Sequence, residues 1–167
     1  MTEQSLVVFK PDSVQRGIIG EILTRFERAG LKIVAMKMVS PEESHYFEHY
    51  ETIGTMKTRH GDQIFDNQVK TMMHGPVIAM VLEGVEAIET IRKMVGSTEP
   101  KTALPGTIRG DYAHYTYGMA NAKNTGVPNI VHASADPKEA KEEVSLWFGD
   151  DEIQDYRVTH QEHTHGN

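Results

Sequence analysis

The sequence predicts an α+β domain: a βαββαβ core whose four-stranded antiparallel sheet has helices packed on it, covering one face. Three observations predict it. Short β-prone runs recur at residues 6–9, 31–39, 77–82 and 130–131; amphipathic helical stretches separate them in that order; and no internal repeat or linker interrupts the 167 residues. With 38% hydrophobic and 25% charged residues, the chain suits one globular domain over 1–158, followed by a polar, His-rich tail at 159–167 that is expected to be disordered.

The first run, Leu6-Val7-Val8-Phe9, reads as a central buried strand that ends at Lys10-Pro11-Asp12, because proline cannot continue a ladder. From Val14, the residues Ile18, Ile19, Ile22, Leu23 and Phe26 recur at helical spacing opposite Arg16, Glu21, Arg25, Glu27 and Arg28, and Gly30 ends the helix. Residues 31–39 alternate Leu31, Ile33 and Ala35 with Lys32 and Lys37, a half-buried strand stopped by Ser40-Pro41. Helices are expected over 42–51 and 64–73, with a polar loop at 52–63 between them. After the strand at 77–82, a helix over 85–95 brings Ile88, Ile91, Arg92 and Val95 to adjacent turns. Residues 98–117 lack a period and contain Pro100, Pro105, Gly106 and Gly110; the irregular excursion continues over 112–128. Following Ile130-Val131, Asp136 caps a helix with Pro137 at its first position and Glu139 completing an Asp form of the capping box. Ala140, Val144, Trp147 and Phe148 form its apolar face.

Composition narrows the function. A formal charge of -7 argues against broad nucleic-acid or anionic-membrane binding, so any polyanion must be met by a local cluster of cations. The absence of cysteine removes disulfides, thiol catalysis and cysteine metal sites together. The N-terminal apolar run is too short for a signal peptide or a membrane span, and a cytoplasmic location is expected. There is no G-x-x-x-x-G-K-[ST] loop, no G-x-G-x-x-G fingerprint and no protein-kinase signature, so phosphate would have to be held by side chains. Lys10, Arg92 and Arg109 are the candidates that stand beside turns or element ends.

His132 stands at a strand end just before the helix that opens at Asp136-Pro137. The positive end of that helix favours anions and disfavours imidazolium, so a histidine there stays neutral and able to attack phosphorus. Glu143, about two turns into the helix, is placed to accept one ring N–H and leave the other nitrogen's lone pair free. Alone, such a histidine is more often a structural one than a nucleophile. The tail residues His160, His163 and His165 lack the supporting shell that fixes a metal geometry, and the methionines read as core filler.

Taken in order, Val8-Phe9-Lys10-Pro11-Asp12 with Val14-Gln15-Arg16-Gly17, His49-Tyr50, Gly75-Pro76-Val77, Gly96-Ser97-Thr98, Pro105 to Asp111, Asn129 to Ser134 and Leu146-Trp147-Phe148 resemble the nucleoside diphosphate kinase family over most of the chain. The resemblance implies a ferredoxin-like fold and a ping-pong transfer of the γ-phosphate of a nucleoside triphosphate, typically ATP, to a nucleoside diphosphate through a phosphohistidine at His132. Mg²⁺ would be held through the nucleotide phosphates, with no direct protein ligand. By motif position, Lys10 would contact the transferring phosphate and Tyr50 would orient Lys10. Arg92, Thr98 and Arg109 would bind the distal phosphates, Asn129 the sugar hydroxyls, and Ser134 and Glu143 would steady His132. The family assembles as homo-oligomers, which implies a tetramer or hexamer.

Two departures mark this chain. His132-Ala133-Ser134-Ala135-Asp136 stands where the family has His-Gly-Ser-Asp-Ser, which displaces the carboxylate by one residue. Ile64 occupies the position of the family's base-stacking aromatic, with Phe65 next to it and apparent insertions at 52–63 and 112–128. Either Phe65 or one of Tyr112, Tyr115 and Tyr117 replaces the lost platform, or the 112–128 insertion packs on a neighbouring subunit and the base is held loosely, the reading that tyrosine's frequency at interfaces favours. Besides the enzyme, the same features suit a nucleotide-binding regulator of this fold with reduced turnover, or a protein-histidine phosphodonor. Phosphate exchange between ATP and a panel of diphosphates separates the three.

Overall fold

The computed structural model describes residues 1–165. Its sheet has the order β2-β3-β1-β4, built from β1 (Thr2–Phe9), β2 (Lys32–Val39), β3 (Val77–Val85) and β4 (Val131–Ala133), with every neighbouring pair antiparallel. Helices α1 (Pro11–Gln15) and α2 (Ile19–Arg28) follow β1; α3 (Glu43–Phe47), a π-helical turn (Glu48–Ile53), α4 (Met56–His60) and α5 (Asp62–Met72) lie between β2 and β3. Then come α6 (Ala87–Val95), α7 (Ile108–Tyr112), α8 (Tyr117–Lys123) and, after β4, α9 (Pro137–Trp147).

The helices cover both sheet faces, not the one expected. Leu6 and Val8 of β1 pack with Tyr46, Phe65, Val69, Met72 and Trp147 on one side. Val7 and Phe9 pack with Ile22, Phe26, Ile91 and Val95 on the other. A strand buried on both faces needs an unbroken apolar run rather than alternation, which is what residues 6–9 supply.

Several expected elements are divided or extended by local backbone chemistry. Gly17, at φ 68°, turns the chain between α1 and α2, so the single helix expected from Val14 becomes two. In β2 the register with β3 shifts between Ile33 and Ala35, so Val34 is an extra residue and both Val34 and Ala35 are buried; this bulge overrides the expected alternation. Lys32 is buried too, with its ammonium 3.3 Å from Glu83. The stretch 52–63, expected to be loop, contains α4, and 98–128 contains α7 and α8. Within the tail expected to be disordered, Gln161–Thr164 forms a short helix whose Thr164 lies against Gly30.

Asp136 caps α9 as expected, accepting from the N–H groups of Lys138 at 2.8 Å and Glu139 at 2.9 Å. Glu139 reaches back one residue further than a capping box requires, to the N–H of Ala135 at 3.2 Å. Asp136→Ala is expected to lower unfolding free energy by about 1 kcal/mol, measured by urea titration; an unchanged titration midpoint would mean that the cap adds nothing to stability.

Candidate active site

β4 is three residues long and opens from a tight turn. Ile130 adopts φ 75°, and the Val131 N–H donates to the Asn129 carbonyl at 2.8 Å, closing a three-residue turn that a β-branched residue seldom enters. The turn is clamped from three sides. Asp12 Oδ2 accepts from the Ile130 N–H at 3.1 Å, and the Ile130 carbonyl accepts from the Lys10 N–H at 2.9 Å. The Arg109 guanidinium donates to the carbonyls of Asn129 at 3.1 Å, Gly96 at 3.0 Å and Val131 at 2.6 Å. Antiparallel pairing then sets His132 opposite Val8, so that His132 and Lys10, two residues after Val8 and just past the end of β1, face the same side of the sheet.

Glu143 lies beneath His132. It is buried on the α9 face that carries Ala140 and Trp147, and each of its oxygens is occupied: Oε1 lies 2.7 Å from His132 Nε2, and Oε2 accepts from Ser134 Oγ at 2.6 Å. The Leu6 N–H in turn donates to Ser134 Oγ at 3.1 Å. Burial pushes the carboxyl upward, but the His132 ring and the Ser134 hydroxyl outweigh it and hold Glu143 ionised, at about 2. With Nε2–H donated to a carboxylate, the lone pair of His132 is on Nδ1.

His49 packs edge-on against His132, ring centroids 4.5 Å apart, and its Nδ1 accepts from Trp147 Nε1 at 3.3 Å. Burial and the neighbouring His132 push its pKa down to about 3, so it stays neutral. Ligating atoms of His49, His132 and Glu143 lie within 4.8 Å of one another, and no other such group of three occurs among the described residues. This nitrogen-rich set, committed to hydrogen bonds, does not suit a hard divalent cation, which prefers oxygen ligands.

A cavity of about 570 Å³ opens above His132, and Lys10, Tyr50, Ile64, Arg92, Thr98, Arg109 and Asn129 line it. Lys10 is only 6% exposed, and its ammonium has no hydrogen-bond partner among the described residues. Burial, aided by the Arg109 charge and opposed by Asp12, lowers its pKa to about 8. Asn129 donates to the Thr98 carbonyl at 2.8 Å and leaves its buried Oδ1 without a partner. Arg109, 8% exposed, spends three of its five N–H donors on carbonyls, leaving two for a ligand.

Two expectations change. The Tyr50 hydroxyl accepts from Gln68 Nε2 at 3.0 Å and has no bond to Lys10 among the described residues. Phe65 cannot be a base platform: it is 5% exposed, in the core with Val69 and Met72, edge-on to Phe47. One residue is about 100° on a helix, so burying Phe65 turns Ile64 towards the cavity. Of the three tyrosines in 112–128, only Tyr117 lines it; Tyr112 hydrogen-bonds Glu21 at 2.9 Å. Sequence reasoning did not single out Asp12, Gln68, Arg59 or His60 for the site; the last two lie on α4 and also line the cavity. Only Asp12 had a sequence signal, its place in the Lys10-Pro11-Asp12 turn.

Lys10→Ala is expected to raise the barrier of any phosphate chemistry here by about 2–4 kcal/mol while melting changes little. Arg109→Ala removes three hydrogen bonds, leaving the Gly96 and Val131 carbonyls without that donor, and is expected also to lose about 3 kcal/mol of stability; parallel turnover and thermal-unfolding measurements check both. For pH, the Lys10 cation is present below about 8 and lost above it, so kcat/KM should fall as pH rises through that value. Bound phosphate favours the ammonium, so the limb in kcat should lie higher. A kcat/KM that stays level across pH 8 removes Lys10 from phosphate binding.

The comparisons with known proteins agree with one another. A family model described as nucleoside diphosphate kinase matches residues 3–153. A nucleoside diphosphate kinase of Borreliella burgdorferi is 42% identical, with 94% of this chain and 93% of the relative covered; one of Pyrococcus abyssi is 47% identical, covering 92% and 89%. The structure superposes with a TM-score of 0.95 and 40% identity on a transition state mimic of the Borrelia burgdorferi enzyme with bound vanadate and ADP, covering 99% of this chain and 98% of that one. With a Halobacterium salinarum nucleoside diphosphate kinase in complex with CDP, the TM-score is 0.82 at 37% identity, covering 96% and 97%. The chain therefore belongs to the nucleoside diphosphate kinase family of phosphotransferases.

Proposed function

We propose that this nucleoside diphosphate kinase works by a ping-pong route in which His132 Nδ1 takes the γ-phosphate of a nucleoside triphosphate and passes it to a nucleoside diphosphate. The observation that carries the reading is the Glu143–His132–Ser134 arrangement, which fixes the ring through Nε2 and leaves Nδ1 as the nucleophile beside Lys10. In the first half-reaction Nδ1 forms the N–P bond as the bond from phosphorus to the bridging oxygen breaks and the diphosphate leaves; the second half reverses this with a new diphosphate. The transition state is loose and spreads charge over the phosphoryl oxygens, so positioning and fixed cations do most of the work. Lys10 meets the transferring phosphate, Arg92, Thr98 and the free donors of Arg109 meet the distal phosphates, and the unpartnered Oδ1 of Asn129 accepts from a sugar hydroxyl. Imidazolium formed on transfer is stabilised by the ionised Glu143.

The substrate enters as its magnesium complex, and the cation neutralises phosphate charge. Among the described residues the site offers no oxygen cage of its own, so Mg²⁺ would be held through the nucleotide phosphates, where it would offset their charge. The relative with vanadate and ADP supports an adenine nucleotide as one substrate. A homo-oligomer of family type, tetramer or hexamer, completes the reading. None of the described helices is long and apolar enough to cross a membrane, in keeping with a cytoplasmic location.

Incubation with γ-labelled ATP and Mg²⁺ is expected to put acid-labile, base-stable phosphate on the wild type and none on His132→Ala. In Glu143→Gln, labelling should slow well before ATP binding weakens, because the amide no longer stabilises the cationic ring. Acid-stable label, or label on His132→Ala, would move the nucleophile elsewhere.

A further inference from the structure

Gln68 is a buried amide with no part in holding His132 or the phosphate cations. It is 7% exposed and stands on α5 between Phe65 and Val69, both of which fill the core. A polar side chain taken out of water among apolar neighbours lowers stability unless it is hydrogen-bonded, so the partner it finds is informative. Among the described residues that partner is a single atom: Gln68 Nε2 donates to the Tyr50 hydroxyl oxygen at 3.0 Å. The chain returns over the other end of the amide. The Gly126 N–H donates to Thr71 Oγ1 at 2.9 Å, and a Cβ at Gly126 would stand 2.9 Å from Gln68 Oε1 and 3.1 Å from the Asn67 carbonyl oxygen. Glycine at this position leaves the amide the room it occupies.

Tyr50 is held as a ring by packing. It stacks on Tyr46 with centroids 6.3 Å apart and meets His49 edge-on at 4.6 Å and His132 edge-on at 6.4 Å. Packing fixes the plane of a phenol but not the direction of its O–H, which rotates to suit its surroundings. Gln68 removes that freedom on one side. A hydroxyl oxygen that accepts from an N–H cannot aim its own proton at the same group, so the O–H turns elsewhere, and Tyr50 lines the cavity that Lys10, Arg109 and His132 also line. Burial pushes the ionisation of the phenol well above its ordinary value, so the group keeps its proton and can only share it in a hydrogen bond.

Resting on the phosphotransfer reading above, we propose that Gln68 is a positioning residue for that reaction: by donating to the Tyr50 oxygen it directs the phenolic proton to a non-bridging oxygen of the phosphoryl group passing to His132, the same group that Lys10 meets. The charge of a loose transition state spreads over three such oxygens, and one ammonium does not meet them all. A neutral O–H at a second oxygen adds a preorganised donor without burying another charge beside Arg109. The nucleoside takes no part in this contact. Its ligand is the phosphoryl group alone.

The test is a double-mutant cycle on Gln68→Met and Tyr50→Phe, read by the single-turnover rate of His132 phosphorylation at saturating ATP, by calorimetric titration with ADP, and by thermal unfolding. Methionine keeps the length of the side chain and removes the donor. Gln68→Met is expected to slow phosphorylation about ten-fold while ADP affinity stays within about two-fold, because the contact is made in the transition state. Tyr50→Phe should slow it at least as much, and adding Gln68→Met to Tyr50→Phe should cost nothing further. Gly126→Ala crowds the amide without removing it; it should repeat the loss only while Tyr50 keeps its hydroxyl, and it decides the matter where Gln68→Met does not fold. Losses that multiply in the double variant overturn the proposal. So does a rate unchanged or raised in Gln68→Met, the latter meaning that the amide had been accepting the phenolic proton, and so does a loss confined to ADP affinity. In each of these cases the wild type still labels His132; a wild type that does not label it overturns the phosphotransfer reading, and this proposal with it.

Discussion

A buried carboxylate organises this site. Glu143 is ionised on the apolar face of α9, between Ala140 and Trp147, where an unpaired charge would cost several kcal/mol. It is tolerated because β4 and the residue that follows it supply two donors at the right height, the His132 ring and the Ser134 hydroxyl. The requirement runs both ways: α9 docks where those donors are, and the docked helix dictates which imidazole nitrogen keeps its lone pair. Trp147, one turn further along, holds His49 edge-on against the same ring, so packing and hydrogen bonding restrict His132 together.

The second constraint is the turn at Ile130. A β-branched residue at φ 75° stores about 1–3 kcal/mol of strain, which persists only where the surroundings over-determine it. Asp12, the Lys10 backbone and Arg109 do so, and these residues belong to the same two motifs that furnish the site's cations. Arg109 is thereby a structural clamp with two donors to spare, and its burial follows from the clamp. Lys10 differs. Its backbone serves the turn while its side chain ends in the cavity without a partner, which is why substitution at Lys10 and at Arg109 should separate function from stability.

Much of this was legible in the sequence because local chemistry and tertiary role coincide. The uninterrupted 6–9 run forms the central strand, Asp136-Pro137 starts α9, and Glu143 falls two turns on, under His132. What escaped depends on pairs of distant residues. The bulge at Val34 needs the register of β3, and the two-sided packing needs both helix layers. The Tyr50 partner is Gln68, eighteen residues away on α5, a pairing that no spacing rule reveals. Ile64 and Phe65 illustrate the limit most simply: both are apolar neighbours on a helix, and only the position of the core decides which one faces the ligand.

The parts of the site divide by the kind of structure that carries them. His132, Glu143, Lys10, Arg92 and Arg109 sit on β4, α9, the end of β1, α6 and α7, where, on the proposed route, an error of an ångström would cost rate. The rest of the cavity is lined from α4, α5 and α8, two of which lie in the stretches expected as insertions and are joined to α5 by single side-chain bonds or short turns. Stacking tolerates lateral displacement far better than in-line transfer does, so residues there can change without loss of the chemistry. The sequence departs from the family at Ile64 and at Ala133-Ser134-Ala135-Asp136, yet Glu143 and Ser134 stay assembled around His132. That pattern is expected when one end of a ligand is held for chemistry and the other for affinity.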